Sequence, residues 1–489
     1  MFEHPRQDVV AGIVVFLVAL PLCLGIAVAC GVPPVSGLVA GVVGGVVVPL
    51  ISRSPLSVTG PAAGLTSVVL LEVERLGSLE RFLAAVVLAG AIQFALGLLR
   101  TGKYASLVPS SVIKGMLAAI GITIVLKQLP IAVGTDGGIS GMVSGFAPGP
   151  AIIAAVSLVV LHGLQHTPLA RVRLLSPALA AVMVASALAV AFRGVPALAL
   201  TPAQFVVVPL GGIEALAGAL PRPDMAAFLA RDVWIVAATI AIVASIETLL
   251  SLQAVDRLDP LQRHSPPDRE LLAQGAANAV SGFLGGLPVT AVIVRSGANV
   301  AAGARERLSA LVHGILLFCA VVLAGAALNL IPMACLAAVL IQVGLGLAKP
   351  SLFRAQARLG AMQFLPFALT IASVLWLDLL KGVVVGVLIG VAFVLHQNSK
   401  DAVLLERPER GPVRVRFRRD GTFLSKPGIV AVLEAIEDGE TVEVDATGHF
   451  LDQDVKELLA AFVEDAHARR ITVLLRGVDL AGVTAGNGH

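Results

Sequence analysis

Long apolar runs, separated by short polar connections, fill the first 400 residues of this chain. A transmembrane helix needs about 20 apolar residues, or fewer where the helix is broken. Fourteen such runs lie near residues 9–30, 35–51, 61–72, 82–99, 110–130, 150–167, 174–192, 232–254, 270–285, 290–302, 307–329, 332–347, 362–378 and 381–397. About a quarter of the residues in a soluble domain are charged. The first 400 residues fall far below this share, with 40 charged residues, whereas the last 89 residues reach it, with 27. The pattern predicts an all-α polytopic membrane domain over residues 1–400, followed by a small soluble domain over residues 401–489.

Two of the runs are short, and each follows a stretch rich in Gly, Pro, Ser and Thr. They are the third run, after residues 54–61, and the tenth run, after residues 285–290. They hold equivalent positions in two halves of seven runs, which predicts inverted repeats with a binding site at the broken helices. Extended backbone would meet there, and two helix N-termini with partial positive charge would attract an anion. The alternative is a pair of ordinary kinked helices.

Charged side chains inside apolar runs are costly in hydrocarbon and are therefore candidates for function. Glu247 lies near the middle of the eighth run, and Ser251 follows four residues later, on the same face of a helix. Carboxylate and hydroxyl oxygens one turn apart can hold a cation, and a buried carboxylate can instead carry a proton. The alternative is a structural carboxylate paired with Arg or Lys.

Arg295 and Thr66 lie in the first turns of the two short runs. Arg295 is predicted to attract an anion or to pair with Glu247. Alternatively, Arg295 has a structural role and contacts either a neighbouring helix or the lipid head groups. The Thr66 hydroxyl is predicted to point into the gap between the half-helices, although Thr in a membrane helix often bonds back to its own backbone.

The remaining polar residues of the runs predict structural roles. Lys114 and Lys127 flank the fifth run and are expected to anchor its ends by snorkelling, while Gln93 is expected to hydrogen-bond between helices. The histidines have no ligand-like companions, so no metal and no cofactor are predicted, with Na⁺ considered only as a coupling ion. The sequence has no nucleophile–base constellation and no P-loop, and we expect neither an enzyme nor a nucleic-acid partner.

Several segments, in this order and spacing, resemble the SulP family of anion transporters, whose animal members form solute carrier family twenty-six. They are DVVAG (8–12), ALP (19–21), VPPVSGL (32–38), TGPAA (59–63), AQGAAN (273–278) and GGLPVT (285–290), with Arg295, Asn299 and Gly303 after them. Residues 245–250 look closest to a bacterial branch that contains cyanobacterial bicarbonate transporters. The resemblance implies fourteen spans in two inverted repeats of seven, a core domain that moves against a gate domain in the elevator mode, and a homodimer in the lipid bilayer.

The resemblance also implies roles for individual residues. In this family the anion lies between the third and tenth half-helices. Thr66 would face it, and Glu247 with Ser251 would lie at the coupling-ion position. The remaining contacts would come from the backbone of Ala291, Val292 and Ile293.

Two departures from the family bear on coupling. Ile293 stands where sodium-coupled relatives carry a Thr, and Glu247 stands where they carry an Asp, so both positions favour protons over sodium. The leading interpretation is a secondary transporter of a small inorganic anion, bicarbonate ahead of sulfate, coupled to Na⁺ or H⁺. The alternatives are a proton-coupled carrier of sulfate or of a dicarboxylate such as fumarate, and an uncoupled anion channel. Nucleobase transport by a related family is disfavoured, because the tenth run has no acidic residue.

The last 89 residues read as alternating strands and helices. Strands are predicted at 413–417, 441–445 and 471–475, with helices at 426–437 and 454–469. By position and order this part resembles the STAS domain of SulP proteins, which would bind a cytoplasmic partner. An even number of spans and a hydrophilic tail predict a multi-pass protein of the inner (plasma) membrane with both termini in the cytoplasm.

Overall fold

The computed structural model describes residues 3–103, 109–135, 145–166, 176–377, 379–400, 402–408 and 411–480. The chain divides into two compact units, residues 1–386 and 387–489. The division falls inside a helix, Leu379–Lys400. Each unit is described separately below.

The first unit is built almost entirely of helices. In chain order they are α1 Pro5–Ala29, α2 Pro34–Ile51, α3 Thr66–Leu76, α4 Leu79–Leu98, α5 Ser110–Ala132, α6 Pro148–His166, α7 Pro177–Phe192, α8 Gly212–Ala219, α9 Arg231–Leu258, α10 Pro267–Phe283, α11 Ile293–Ala301, α12 Leu308–Leu323, α13 Gly325–Leu328, α14 Met333–Leu347, α15 Pro350–Arg358, α16 Ala361–Trp376 and α17 Leu379–Lys400.

Each of the fourteen apolar runs overlaps at least one of these helices. Six helical segments in the described part of the chain are at least 18 residues long and apolar enough to cross a membrane, and five further apolar helices are shorter. The chain is therefore a helical protein with several membrane-spanning candidates, while the number of fourteen spans remains a prediction.

Two short strands interrupt the helices at the positions of the two Gly- and Pro-rich stretches. Strand β1 (Thr59–Pro61) pairs antiparallel with β2 (Val289–Ala291). After β1 the chain forms a 3₁₀ turn, Ala63–Leu65, and then α3, whereas α11 begins two residues after β2. The predicted meeting of extended backbone is confirmed, and each strand leads into a short helix.

Local sequence explains where α3 ends. Gly77 adopts a left-handed conformation, with φ of 75°, and its N–H bonds to the Val73 carbonyl. Glycine favours this conformation because it has no Cβ. Ser78 then caps α4 by accepting a hydrogen bond from the Arg81 N–H at 3.2 Å. Helix α3 is thus limited to 11 residues.

The second unit contains a four-stranded sheet in the order β3-β4-β5-β6. The strands are β3 Val403–Glu406, β4 Val413–Phe417, β5 Thr441–Asp445 and β6 Thr472–Arg476, and the helices are α18 Lys426–Glu434 and α19 Gln453–Ala468. Only β3 and β4 are antiparallel. Val415, Ile429, Val444 and Val455 are fully buried in its core. The predicted small α/β region is confirmed, and β3 is an additional strand that the sequence pattern did not predict.

Candidate functional site

A central cavity lies where the two short helices begin. Its wall is formed by α1, α5, α9 and α14, by the turn that precedes α3, and by residues 292–295 at the start of α11. Most of the lining is aliphatic. Its polar side chains are Glu247, Ser251 and Arg295. The first turns of α3 and α11 add partial positive charge from free backbone N–H groups.

Glu247 reaches from α9 to the turn before α3. A Cβ atom built on Gly64 would lie 2.6 Å from Glu247 Oε1 and 2.8 Å from Oε2. The carboxylate therefore packs directly on Gly64, and a larger residue there would have to displace it. Oε2 is buried and has no hydrogen-bond partner among the residues that the structure describes. This arrangement leaves a carboxylate in the cavity that a proton or a small cation can neutralise.

Arg295 is completely buried, at 0% exposure. Its Nη2 donates to the Pro61 carbonyl at 3.4 Å, and its Nη1 packs so closely on Gly60 that a Cβ atom there would collide with it. Nε and Nη1 have no hydrogen-bond partner within the described part of the chain. Arg295 and Glu247 form no ion pair with each other. The guanidinium thus brings an uncompensated positive charge to the cavity at the junction of β1 and α11.

The other residues predicted for the site lie either on the wall of the central cavity or behind it. Ser251, Val292 and Ile293 line the central cavity with Glu247 and Arg295. Ala291 lies behind it, fully buried, where its N–H donates to Thr248 Oγ1 at 3.3 Å. The roles of all these residues in binding remain predictions.

Thr66 lies beside the central cavity instead of on its wall. Its hydroxyl donates to the Ala63 carbonyl at 2.8 Å, which is the backbone bond that sequence reasoning gave as the alternative. Thr66 lines a smaller neighbouring cavity together with Lys127 and Gln128. Contact between Thr66 and an anion in the central cavity would therefore need a rearrangement of this hydroxyl.

Asn278 holds β2 in place, a role that sequence reasoning did not assign. Its Oδ1 accepts from the Val289 N–H at 2.6 Å. Its Nδ2 donates to the Val289 carbonyl at 3.0 Å and to Gln93 Oε1 at 2.6 Å. Gln93 in turn donates to Ser245 Oγ at 3.2 Å, which confirms its predicted interhelical bonding. This network joins α4, α9 and α10 to the strand that precedes α11.

Strand β1 is tied to the rest of the site in the same way. Gln274 of α10 donates to Thr59 Oγ1 at 2.8 Å. The Val58 N–H donates to Ser296 Oγ at 2.9 Å, and the Val292 N–H donates to the Val58 carbonyl at 3.0 Å. Since both half-helix starts are fixed by buried hydrogen bonds, the cavity wall between them is preorganised.

Replacing Asn278 with Ala is expected to lower both stability and anion affinity. The change leaves the Val289 N–H and carbonyl unpaired, and it costs about 1–3 kcal/mol of unfolding free energy. Asn329 is a matched control, because its side chain makes the same two bonds with Val208, at 2.7 and 3.0 Å. Thermal unfolding should be lowered in both variants. Only the Asn278→Ala protein should show weaker anion binding by titration, and equal binding in the two variants would contradict the role of this network.

Within the described residues, no group of three or more His, Cys, Asp or Glu side chains could hold a metal ion. A coupling cation at this site would depend on the Glu247 carboxylate and the Ser251 hydroxyl, which both line the cavity.

Comparisons with known proteins bear on the family to which this chain belongs. The sulfate permease family matches residues 6–370. The putative sulfate transporter YbaR of Bacillus subtilis (strain 168) is 28% identical over 98% of this chain and 96% of its own. The bicarbonate transporter BicA of Picosynechococcus sp. is 26% identical over 81% of this chain and 71% of its own. The murine Solute Carrier 26 family member A9 anion transporter, in the inward-facing state, has a TM-score of 0.76 at 17% identity, over 97% of this chain and 86% of its own.

The solved structure supports the fold alone, whereas the family match covers most of the chain. The chain therefore belongs to the sulfate permease (SulP) family, whose members are multi-pass membrane transporters of anions and not enzymes.

Proposed function

We propose that this protein is a secondary active transporter of a small inorganic anion, with bicarbonate as the first candidate substrate. The observation that carries the proposal is the central cavity, where two helix starts and the Arg295 guanidinium meet the unpaired Glu247 carboxylate. Positive ends of half-helices favour an anion. The mostly aliphatic wall offers few side chains for specific recognition, which suits a small anion held by backbone dipoles. Similarity to a protein named as a bicarbonate transporter supports bicarbonate, and similarity to a protein named as a putative sulfate transporter keeps sulfate as the next candidate.

Coupling to H⁺ or Na⁺ is proposed to act through Glu247, with Ser251 beside it. An ionised Glu247 would oppose entry of the anion, because like charges in a low-dielectric cavity repel strongly. Neutralising the carboxylate with a proton or with Na⁺ removes this repulsion, so the cation and the anion bind together. Ile293 gives the cavity an aliphatic group at a position where a hydroxyl would help to coordinate Na⁺. The missing hydroxyl favours H⁺ over Na⁺ as the coupling ion. It therefore supports the second candidate, a proton-coupled carrier of sulfate or of a dicarboxylate such as fumarate.

The proposed architecture follows the family. It comprises fourteen spans in two inverted repeats of seven over residues 1–400, with the β1–β2 pair at the meeting point of the repeats. A core domain carrying the cavity moves against a gate domain in an elevator-type cycle, and the protein is a homodimer. Residues 401–489 form a STAS-like domain that binds a cytoplasmic partner. Both termini lie in the cytoplasm, and the membrane is the inner (plasma) membrane.

The deciding experiment is uptake of labelled bicarbonate by proteoliposomes under separately imposed Na⁺ and H⁺ gradients, with sulfate and fumarate as competitors. Gradient-driven uptake that unlabelled bicarbonate suppresses is the expected result. Uptake of sulfate or fumarate alone would replace bicarbonate with that competitor. Flux that never exceeds equilibrium under either gradient would instead identify an uncoupled channel.

A further inference from the structure

A second cavity lies further along α3, towards its C-terminal end. This vestibule is lined by α3, α5 and the first turns of α9, and Val374, Leu375, Leu377, Leu379 and Lys381 complete its wall. The small cavity beside Thr66 lies between the vestibule and the central cavity. It shares Ala63 and Ile120 with the central cavity, and Ser67 and Lys127 with the vestibule. The three cavities thus form one series along α3 and α5.

Lys127 of α5 lies where the vestibule adjoins the small cavity. It is half-buried and lines both the vestibule and the small cavity. Within the described residues, no carboxylate lies within the 4.0 Å of its ammonium that an ion pair requires. Glu74 acts on the Lys127 charge only from a greater distance. A lysine used as a membrane anchor extends towards the lipid head groups, whereas this lysine lines two internal cavities.

The surroundings of Lys127 can complete a binding site for an anion. Thr66, Ser67 and Thr123 line the small cavity with hydroxyl-bearing side chains. Gln128 lines it as well, is 1% exposed, and has no hydrogen-bond partner for its Oε1 in the structure. A partly buried ammonium without a close carboxylate is unfavourable unless water or an anion satisfies it. Three of the four charged residues that line the vestibule are basic, namely Arg75, Lys127 and Lys381, and the fourth is Glu72.

We propose that Lys127 is the centre of a second, transient binding site for the transported anion, at the base of the vestibule. The inference rests on the proposed function and adds an access route to it. A small oxyanion, such as bicarbonate or sulfate, would be held by the Lys127 ammonium and the Ser67 and Thr123 hydroxyls before it passes to the central cavity. Lys127 therefore sets the affinity for the anion on the vestibule side, and Glu247 sets coupling on the other side.

The transport test compares Lys127→Met with Lys127→Arg and with Lys114→Met, a control that removes the same charge from the other end of α5. A charge-assisted hydrogen bond is lost only in Lys127→Met, so the apparent KM for labelled bicarbonate should rise about tenfold. The Lys127→Arg and Lys114→Met proteins should stay close to the original chain. An unchanged KM in Lys127→Met, or an equal rise in Lys114→Met, would overturn the proposal.

A second measurement does not depend on transport. In Lys127→Cys, the negatively charged sulfonatoethyl methanethiosulfonate should label Cys at position 127, and sulfate or bicarbonate should slow the labelling. The positively charged aminoethyl reagent should restore a low KM, and the sulfonatoethyl reagent should not. The unmodified chain provides the background, since Cys23, Cys30 and Cys335 are buried but Cys319 is half-buried. Labelling that neither anion slows would refute the site. Protection by an anion in a chain that transports none would refute only the proposed function.

Discussion

Replacing Glu247 with Gln is expected to abolish gradient-driven accumulation of the anion, down to the level of protein-free liposomes. Glutamine keeps the size of the side chain that packs on Gly64, but it can neither bind a proton in the relevant range nor supply a full negative charge to Na⁺. The side chain forms no ion pair in the structure. The substitution therefore leaves no partner charge unpaired, and the protein should fold and purify normally.

Two measurements separate coupling from binding in this variant. Exchange of labelled for unlabelled anion at equal concentrations should persist, because it needs no net movement of the coupling ion. Asp232→Asn is the matched control on the same helix, since Asp232 lies near the start of α9 and pairs with Arg81 at 2.7 Å, away from the cavity. It should accumulate anion normally. Undiminished accumulation by Glu247→Gln under both gradients would show that this carboxylate does not couple transport.

Replacing Gly64 with Ala is expected to lower uptake by about tenfold or more, because the added methyl group displaces the carboxylate that the proposed coupling depends on, and misplacing such a group by about 1 Å is costly. The added Cβ would lie 2.6–2.8 Å from the Glu247 carboxylate, so either the carboxylate or the turn before α3 must move. Both form the wall of the central cavity. The measurement is the initial rate of uptake in proteoliposomes, normalised to the amount of folded protein.

Gly297→Ala is the control for this prediction. Gly297 lies in α11, the other short helix, and a Cβ atom there would meet no atom within 4 Å. That variant should transport normally. Glu247→Asp in the Gly64→Ala background shortens the carboxylate by one methylene and should restore part of the uptake. Normal uptake by Gly64→Ala alone would contradict the contact between Gly64 and Glu247.

The sequence predicted elements that depend on local pattern. The apolar runs predicted helices because most of them are apolar and long enough to form a membrane-spanning helix. The Gly- and Pro-rich stretches predicted the breaks in two helices, where the structure has β1 and β2. In the second unit, period-two alternation predicted the strands at 413–417 and 441–445 with the same bounds as the structure. A single charge in an apolar run was enough to single out Glu247 and Arg295, because such charges are costly in hydrocarbon.

The contacts that shape the site were decided only by the tertiary structure. Gly64 and Glu247 lie far apart in the chain, as do Gly60 and Arg295, and no local pattern specifies which pairs meet. The Asn278 bonds to Gln93 and the packing of Lys127 between two cavities likewise arise when helices from both halves come together. Sequence alone therefore determined a helical membrane protein with two broken helices and an internal carboxylate. Only tertiary packing determined what that carboxylate touches, because a buried side chain's environment is supplied by residues distant in sequence.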